Sequence, residues 1–149
     1  MYKKILVPLD TSKRAEAILP HVEQMAKCYG SEVVFLLVEE SPLLLEWKET
    51  ADMEKSKMDL DRRTKSAESY LSKKRKEFRG KGIESKICID YGSVVKSILS
   101  TAEREGADII AIASHGMSFL GRTSYGSVAA GVLQLADRPL LIVRSTGNE

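Results

Sequence analysis

Asp108-Ile109-Ile110-Ala111-Ile112-Ala113, followed at once by Ser114-His115-Gly116, sets a run of apolar residues directly against a polar turn. The run is continuous rather than alternating, the pattern of a strand covered on both faces. Downstream, residues 114–124 form a loop rich in Gly, Ser and Thr. Gly126-Ser127 then opens a segment carrying Val128, Val132, Leu133 and Ala136 at helical spacing. Asp137-Arg138-Pro139 breaks that helix, and Leu140-Leu141-Ile142-Val143 follows as another apolar strand. A strand, a crossover helix and a second strand in this order pair in parallel.

Upstream the same alternation repeats. Ile5-Leu6-Val7-Pro8-Leu9 reads as a first strand, and Asp10-Thr11-Ser12 as a turn and helix start. Ala15, Ile18, Leu19, Val22, Met25, Ala26 and Tyr29 recur at helical spacing up to a stop at Gly30, with a kink expected at Pro20. Val33 to Val38 is a second strand, ended by Ser41-Pro42. Leu43, Leu44, Leu45 and Trp47 suit either a loop over the sheet edge or an interface. A long charged helix from Thr50 to Arg79 shows a narrow apolar stripe through Met53, Leu60, Ala67, Leu71 and Phe78. Its run Lys73-Lys74-Arg75-Lys76 has acidic neighbours and reads as a solvated face. Ile83 to Ile89 reads as an edge-side strand, and Gly92-Ser93 starts a helix with Val95, Ile98, Leu99 and Ala102 inward, ended by Gly106. Five strands with four helices between them predict a single α/β domain over residues 1–149: a three-layer, doubly wound sandwich on a five-stranded parallel sheet.

Composition narrows the function. With 23 Lys and Arg against 21 Asp and Glu, the net charge of +2 lacks the basic excess of a nucleic-acid binder. No apolar run approaches the roughly 20 residues that cross a bilayer, and Asp10 interrupts the N-terminal run too early for a signal peptide, so a cytoplasmic protein is expected. Cys28 and Cys88 are far apart, with no Cys-x-x-Cys and no histidine cluster, and read as reduced, largely buried thiols.

In an open parallel sheet, ligands bind beyond the carboxyl ends of the strands, where the strand order reverses. Pro8, Leu9 and Asp10 end the first strand, and Ala113, Ser114, His115 and Gly116 end the fourth. Gly126, Ser127 and Val128 stand where the last helix begins, and free N–H groups with the positive dipole end make such a place an anion site. Arg122, within the loop, is a cation placed to meet a triphosphate. Asp10 suits a ribose hydroxyl or a helix cap, and both readings stay open. His115 reads as a loop-positioning residue before a general base, and His21 as a surface residue. No Ser-His-Asp ordering, metal-ligand spacing or Walker-type Gly-Lys-Ser/Thr is present, and nothing suggests the aromatic sandwich of a flavin site.

With Val7-Pro8-Leu9-Asp10, Gly106-Ala107-Asp108, Gly116 and Gly126 nine residues apart with Ser127 following, and the ending Arg138-Pro139-Leu140-Leu141-Ile142-Val143, the chain resembles the universal stress protein family over its whole length. Where the ATP-binding members have the first glycine of Gly-x2-Gly-x9-Gly-Ser/Thr, this chain has Ala113, whose methyl is tolerable at negative φ and costs roughly 1 kcal/mol at positive φ. The resemblance implies a sheet order 3-2-1-4-5 and a homodimer through Leu140 to Val143. It implies an ATP or AMP site with Gly116, Gly126 and Ser127 on phosphates and Asp10 near the ribose. Main-chain groups of Val38 would read the adenine edge, Pro8 and Leu9 would wall the pocket, and Mg or Mn would accompany the phosphates. The function so implied is a nucleotide-binding stress-response or signalling module with little or no hydrolysis. The alternatives are a nucleotide-free dimeric interaction module and a slow ATPase.

Overall fold

A computed structural model of the chain describes residues 1–40, 50–115 and 126–145. Strands β1 (Lys4–Pro8), β2 (Glu32–Glu39), β3 (Ser85–Tyr91), β4 (Ile109–Ala113) and β5 (Leu140–Val143) form one parallel sheet in the order β3-β2-β1-β4-β5. Helices α1 (Leu19–Tyr29), α2 (Thr50–Arg79), α3 (Val94–Glu105) and α4 (Ser127–Leu135) connect them. Both the doubly wound architecture and the strand order match the sequence expectation.

The period of two along each strand splits the core into two layers. Ile5, Val7, Val33, Phe35 and Ala111 face α1 and α2, where Val22, Leu71 and Phe78 are buried. Leu6, Val34, Leu36, Ile110 and Ile112 face α3 and α4 and meet Ile98, Ala102 and Val132. Each fully buried Leu, Ile, Val or Phe contributes about 1.5–3 kcal/mol, which is why near-continuous apolar strands select a sheet covered twice. Phe35 and Phe78 add an edge-to-face ring contact at 5.0 Å.

Two polar anchors fix the layers. The Arg138 guanidinium donates to the carbonyls of Ala102 (2.9 Å) and Ala107 (2.8 Å) and to the Glu103 carboxylate, tying the end of α3 to the start of β5. Tyr70 and Lys74 of α2 donate to Glu16 at 2.6 Å and 3.0 Å, tying the long helix to the short 3-10 turn Ala15–Ile18. Burial works to raise the Glu16 pKa, but these two donors outweigh it and hold the carboxyl below its usual value. The same burial and the same carboxylate push the Tyr70 phenol well up.

Local expectations need correction at five places, one of them Lys74, which is buried against Glu16 rather than solvated with its neighbours. Pro20 falls in the first turn of α1 because the preceding turn is 3-10, so its missing N–H costs no helical bond and no mid-helix kink follows. Cys28 is exposed and only Cys88 is partly buried, since Cys28 lies on the outer side of the last turn of α1. Leu133 points outward and is half exposed, because Val132 occupies the core-facing position beside it. The third strand begins at Ser85 rather than Ile83, which is buried in the turn after α2 with its N–H bonded to the Phe78 carbonyl. The apolar segment 43–45 with Trp47 lies outside the described residues.

Candidate functional site

The strand order reverses between β1 and β4, and a cleft of about 300 Å³ opens there beyond their carboxyl ends. Pro8, Leu9, Asp10, Val38, Ala113, His115, Gly126, Ser127 and Val128 all line it. Gly116 and Arg122 lie outside the described residues. Ser114, also expected at the end of the fourth strand, lines the cleft too, and Ala15, Leu36, Glu40, Val94, Ile98, Ile112 and Ala129 complete the lining without having been anticipated as site residues. Ile98 had a signal, the inward stripe of α3, but it reads equally well as core, and Val94 lay outside that stripe. Glu40 is the first residue past β2, and nothing in the local pattern marks it.

On the β1 side, Asp10 builds the turn. Its Oδ1 accepts from the Ser12 N–H (3.0 Å) and the Ser12 hydroxyl (2.5 Å). Ser12 Oγ in turn accepts from the Ala15 N–H at 3.1 Å, so Ser12 caps the 3-10 turn and Asp10 braces the cap from behind. Thr11, between them, adopts φ of +74°, a left-handed conformation that this bracing sustains.

On the β2 side, hydrogen-bond alternation decides what Val38 offers. The Leu36 carbonyl accepts from Leu9, toward β1, whereas the Glu39 carbonyl accepts from Gly92, toward β3. Val38 therefore turns its N–H and C=O toward β1, at a level where β1 has already ended. A donor and an acceptor stand side by side at that wall of the cleft.

On the β4 side, Ala113 is a strand residue and is not among those with positive φ, so its methyl is accommodated without backbone strain. Gly126 is needed for another reason. Its φ of −59° suits any residue, but a β-carbon there would sit 3.0 Å from the Ser114 carbonyl oxygen and 3.5 Å from His115 Cα. The Gly126 N–H itself donates to the Ser114 carbonyl at 2.8 Å, so this amide serves the fold. The anion-binding potential passes to the N–H groups of Ser127, Val128 and Ala129, which as the first turn of α4 have no intrahelical acceptor, and to the Ser127 hydroxyl.

The cleft thus has an apolar floor, a main-chain donor–acceptor pair at one end and a helix N-terminus at the other. Among the described residues no group of three or more His, Cys, Asp or Glu forms a cage for a metal ion. A divalent ion here would ride on ligand oxygens and water, with Asp10 and Glu40 as the acidic residues lining the cleft.

Comparison with known proteins agrees with this fold. The profile of the universal stress protein family matches residues 1–144. Universal stress protein MJ0577 of Methanocaldococcus jannaschii is 32% identical over 97% of this chain and 96% of its own length. Its solved structure superposes with a TM-score of 0.88, covering 99% of both chains. Universal stress protein UspA from Lactobacillus plantarum shares the fold, with a TM-score of 0.84 at 21% identity over 96% of this chain and 98% of its own.

Proposed function

The chain belongs to the universal stress protein family, and from that premise we propose that its cleft binds an adenine nucleotide, ATP or AMP. The observation that carries this reading is the coincidence, across one cleft, of the Val38 main-chain pair and the first turn of α4. An adenine edge presents an amino donor beside a ring acceptor, the complement of an exposed C=O and N–H. The apolar floor of Leu36, Val94 and Ile98 suits a flat ring, and the α4 amides with Ser127 suit phosphate oxygens. Asp10, whose Oδ1 also braces the turn after β1, is assigned to a ribose hydroxyl, with Pro8 and Leu9 as walls. Ala113 takes a strand conformation, so its methyl puts no strain on the backbone at that side of the cleft.

In this reading the protein is a stress-response or signalling module of the cytoplasm with little or no hydrolysis, and Mg or Mn accompanies the nucleotide through its phosphates. Among the described residues no helix is long and apolar enough to cross a membrane. A homodimer forms through β5. That strand is an edge of the sheet, pairs only with β4 among the described strands, and presents Leu140 to Val143 as an apolar row.

Calorimetric titration with ATP, AMP and GTP tests the proposal. Saturable binding of ATP or AMP, with GTP weaker, is expected. Absence of a saturable signal up to millimolar nucleotide removes it.

A further inference from the structure

Just past β5 the chain passes the cleft, and one residue there touches both of its lips. The Ser145 hydroxyl hydrogen is shared between the carbonyls of Arg14 (3.0 Å), in the turn after β1, and His115 (3.2 Å), at the end of β4. The Ser145 N–H donates to Ser114 Oγ at 3.0 Å. Three chain segments far apart in sequence are gathered by a single serine that has no place in the nucleotide motif.

The consequence for His115 follows from counting hydrogens. Ser114 is 1% exposed, so its hydroxyl hydrogen needs an acceptor inside the protein. Its oxygen already accepts from Ser145, and among the described residues the acceptor in reach is His115 Nδ1, at 3.0 Å. A neutral imidazole that accepts at Nδ1 carries its own proton on Nε2. The ring carbon bonded to Nε2, Cδ2, is 3.7 Å from the place a β-carbon would take on Gly126, so that edge of the ring lies toward the N-terminus of α4. The opposite tautomer would turn a lone pair toward the same place.

We infer that Ser145 and Ser114 are positioning residues of the cleft: Ser145 clasps its two lips, and Ser114 holds His115 as the Nε2–H tautomer, a donor beside the anion end. The effect on affinity rests on the nucleotide reading, whereas the clasp and the tautomer do not.

The full chain, without ligand, is examined by long-range proton–nitrogen NMR of its histidine rings. The chain has two histidines, and the exposed His21 serves as an internal reference. Neutral His115 is expected to show the Nε2–H pattern, and Ser114→Ala to lower the share of that form. A dominant Nδ1–H form in the parent chain, or a pattern unmoved by Ser114→Ala, overturns the relay. Ser145→Ala is read by exchange of the Gly126 amide, whose acceptor is the Ser114 carbonyl, and by ATP titration. Exchange faster and affinity weaker by about three- to tenfold are expected, the scale of one neutral hydrogen bond, with both restored in Ser145→Thr. Unchanged exchange overturns the clasp, and unchanged affinity in a chain that binds ATP overturns its role in the site. A parent chain that shows the tautomer and the exchange effect but binds no ATP removes the nucleotide proposal and leaves this one standing.

Discussion

Gly126→Ala separates the demands of the fold from those of the site. The backbone there, φ −59° and ψ 157°, accepts alanine without strain, so the cost comes from contact alone. The new methyl would stand 3.0 Å from the Ser114 carbonyl oxygen, and that oxygen is held at 2.8 Å by the Gly126 N–H. Relief to an ordinary contact of 3.4 Å means parting the two segments by about 0.4 Å, which stretches that hydrogen bond. Overpacking of this kind costs about 1–3 kcal/mol, and the stiffer unfolded chain returns about 0.4–1 kcal/mol, so a net loss of up to about 2.6 kcal/mol is expected. The α4 amides move with the helix end, and misplacing one charge-assisted hydrogen bond to phosphate lowers affinity by about ten- to a hundredfold. Urea unfolding and ATP calorimetry on the parent, Gly126→Ala and Gly30→Ala read both quantities. Gly30, at φ of +64° with open space around it, is the control: alanine there strains the backbone and leaves affinity alone. A Gly126→Ala chain as stable as its parent that binds ATP equally well would refute the close approach and the role given to α4.

Arg138→Met removes the donors that join α3 to β5 from a side chain 15% exposed, and leaves the Ala102 and Ala107 carbonyls without that partner. A loss of about 2–4 kcal/mol in urea unfolding is expected. Glu16 is held below its usual pKa, so its contribution to stability is complete above the unfolded value, about 4.5, and fades as pH falls through the still lower folded value. Glu16→Gln should flatten the acid limb of a stability–pH curve measured by urea midpoints, and an unchanged limb would contradict the assignment. In β5, Val143 turns its carbonyl to β4, so Ile142 turns its N–H outward, to the open edge. Ile142→Pro should convert a dimer to a monomer in sedimentation analysis, at some cost in stability because the Ile142 side chain packs against the core, whereas a monomeric parent chain would contradict the edge pairing.

The fold was legible because the strands are near-continuous apolar runs bounded by Gly, Pro and acidic turns, which leaves parallel pairing as the consistent arrangement. Pro20 misled because a 3-10 turn and an α-helix share an apolar spacing over so short a span, and hydrogen bonds rather than side chains mark where one becomes the other. Cys28 and Leu133 misled because a residue type sets a preference for burial while the angle around the helix decides it. At the site, Asp10, Ser127 and their neighbours were visible from the ends of strands and the start of a helix, whereas Val38 came only from the family resemblance. The role of Gly126 was not, since its closeness to the Ser114 carbonyl depends on how β4 meets α4. Ser145 was invisible for the same reason: its partners are gathered only when five strands stand side by side.

The central claim is that one cleft reads a base beside Val38 and holds phosphate at the first turn of α4. Backbone amide NMR of the full chain titrated with ATP tests it most directly. The account predicts saturable shifts at Val38, Asp10, Ser127, Val128 and Ala129, with Tyr2 and Tyr29, a ring pair at the other end of the sheet, unmoved. No shift up to millimolar ATP, or shifts centred on Tyr2 and Tyr29, would contradict it.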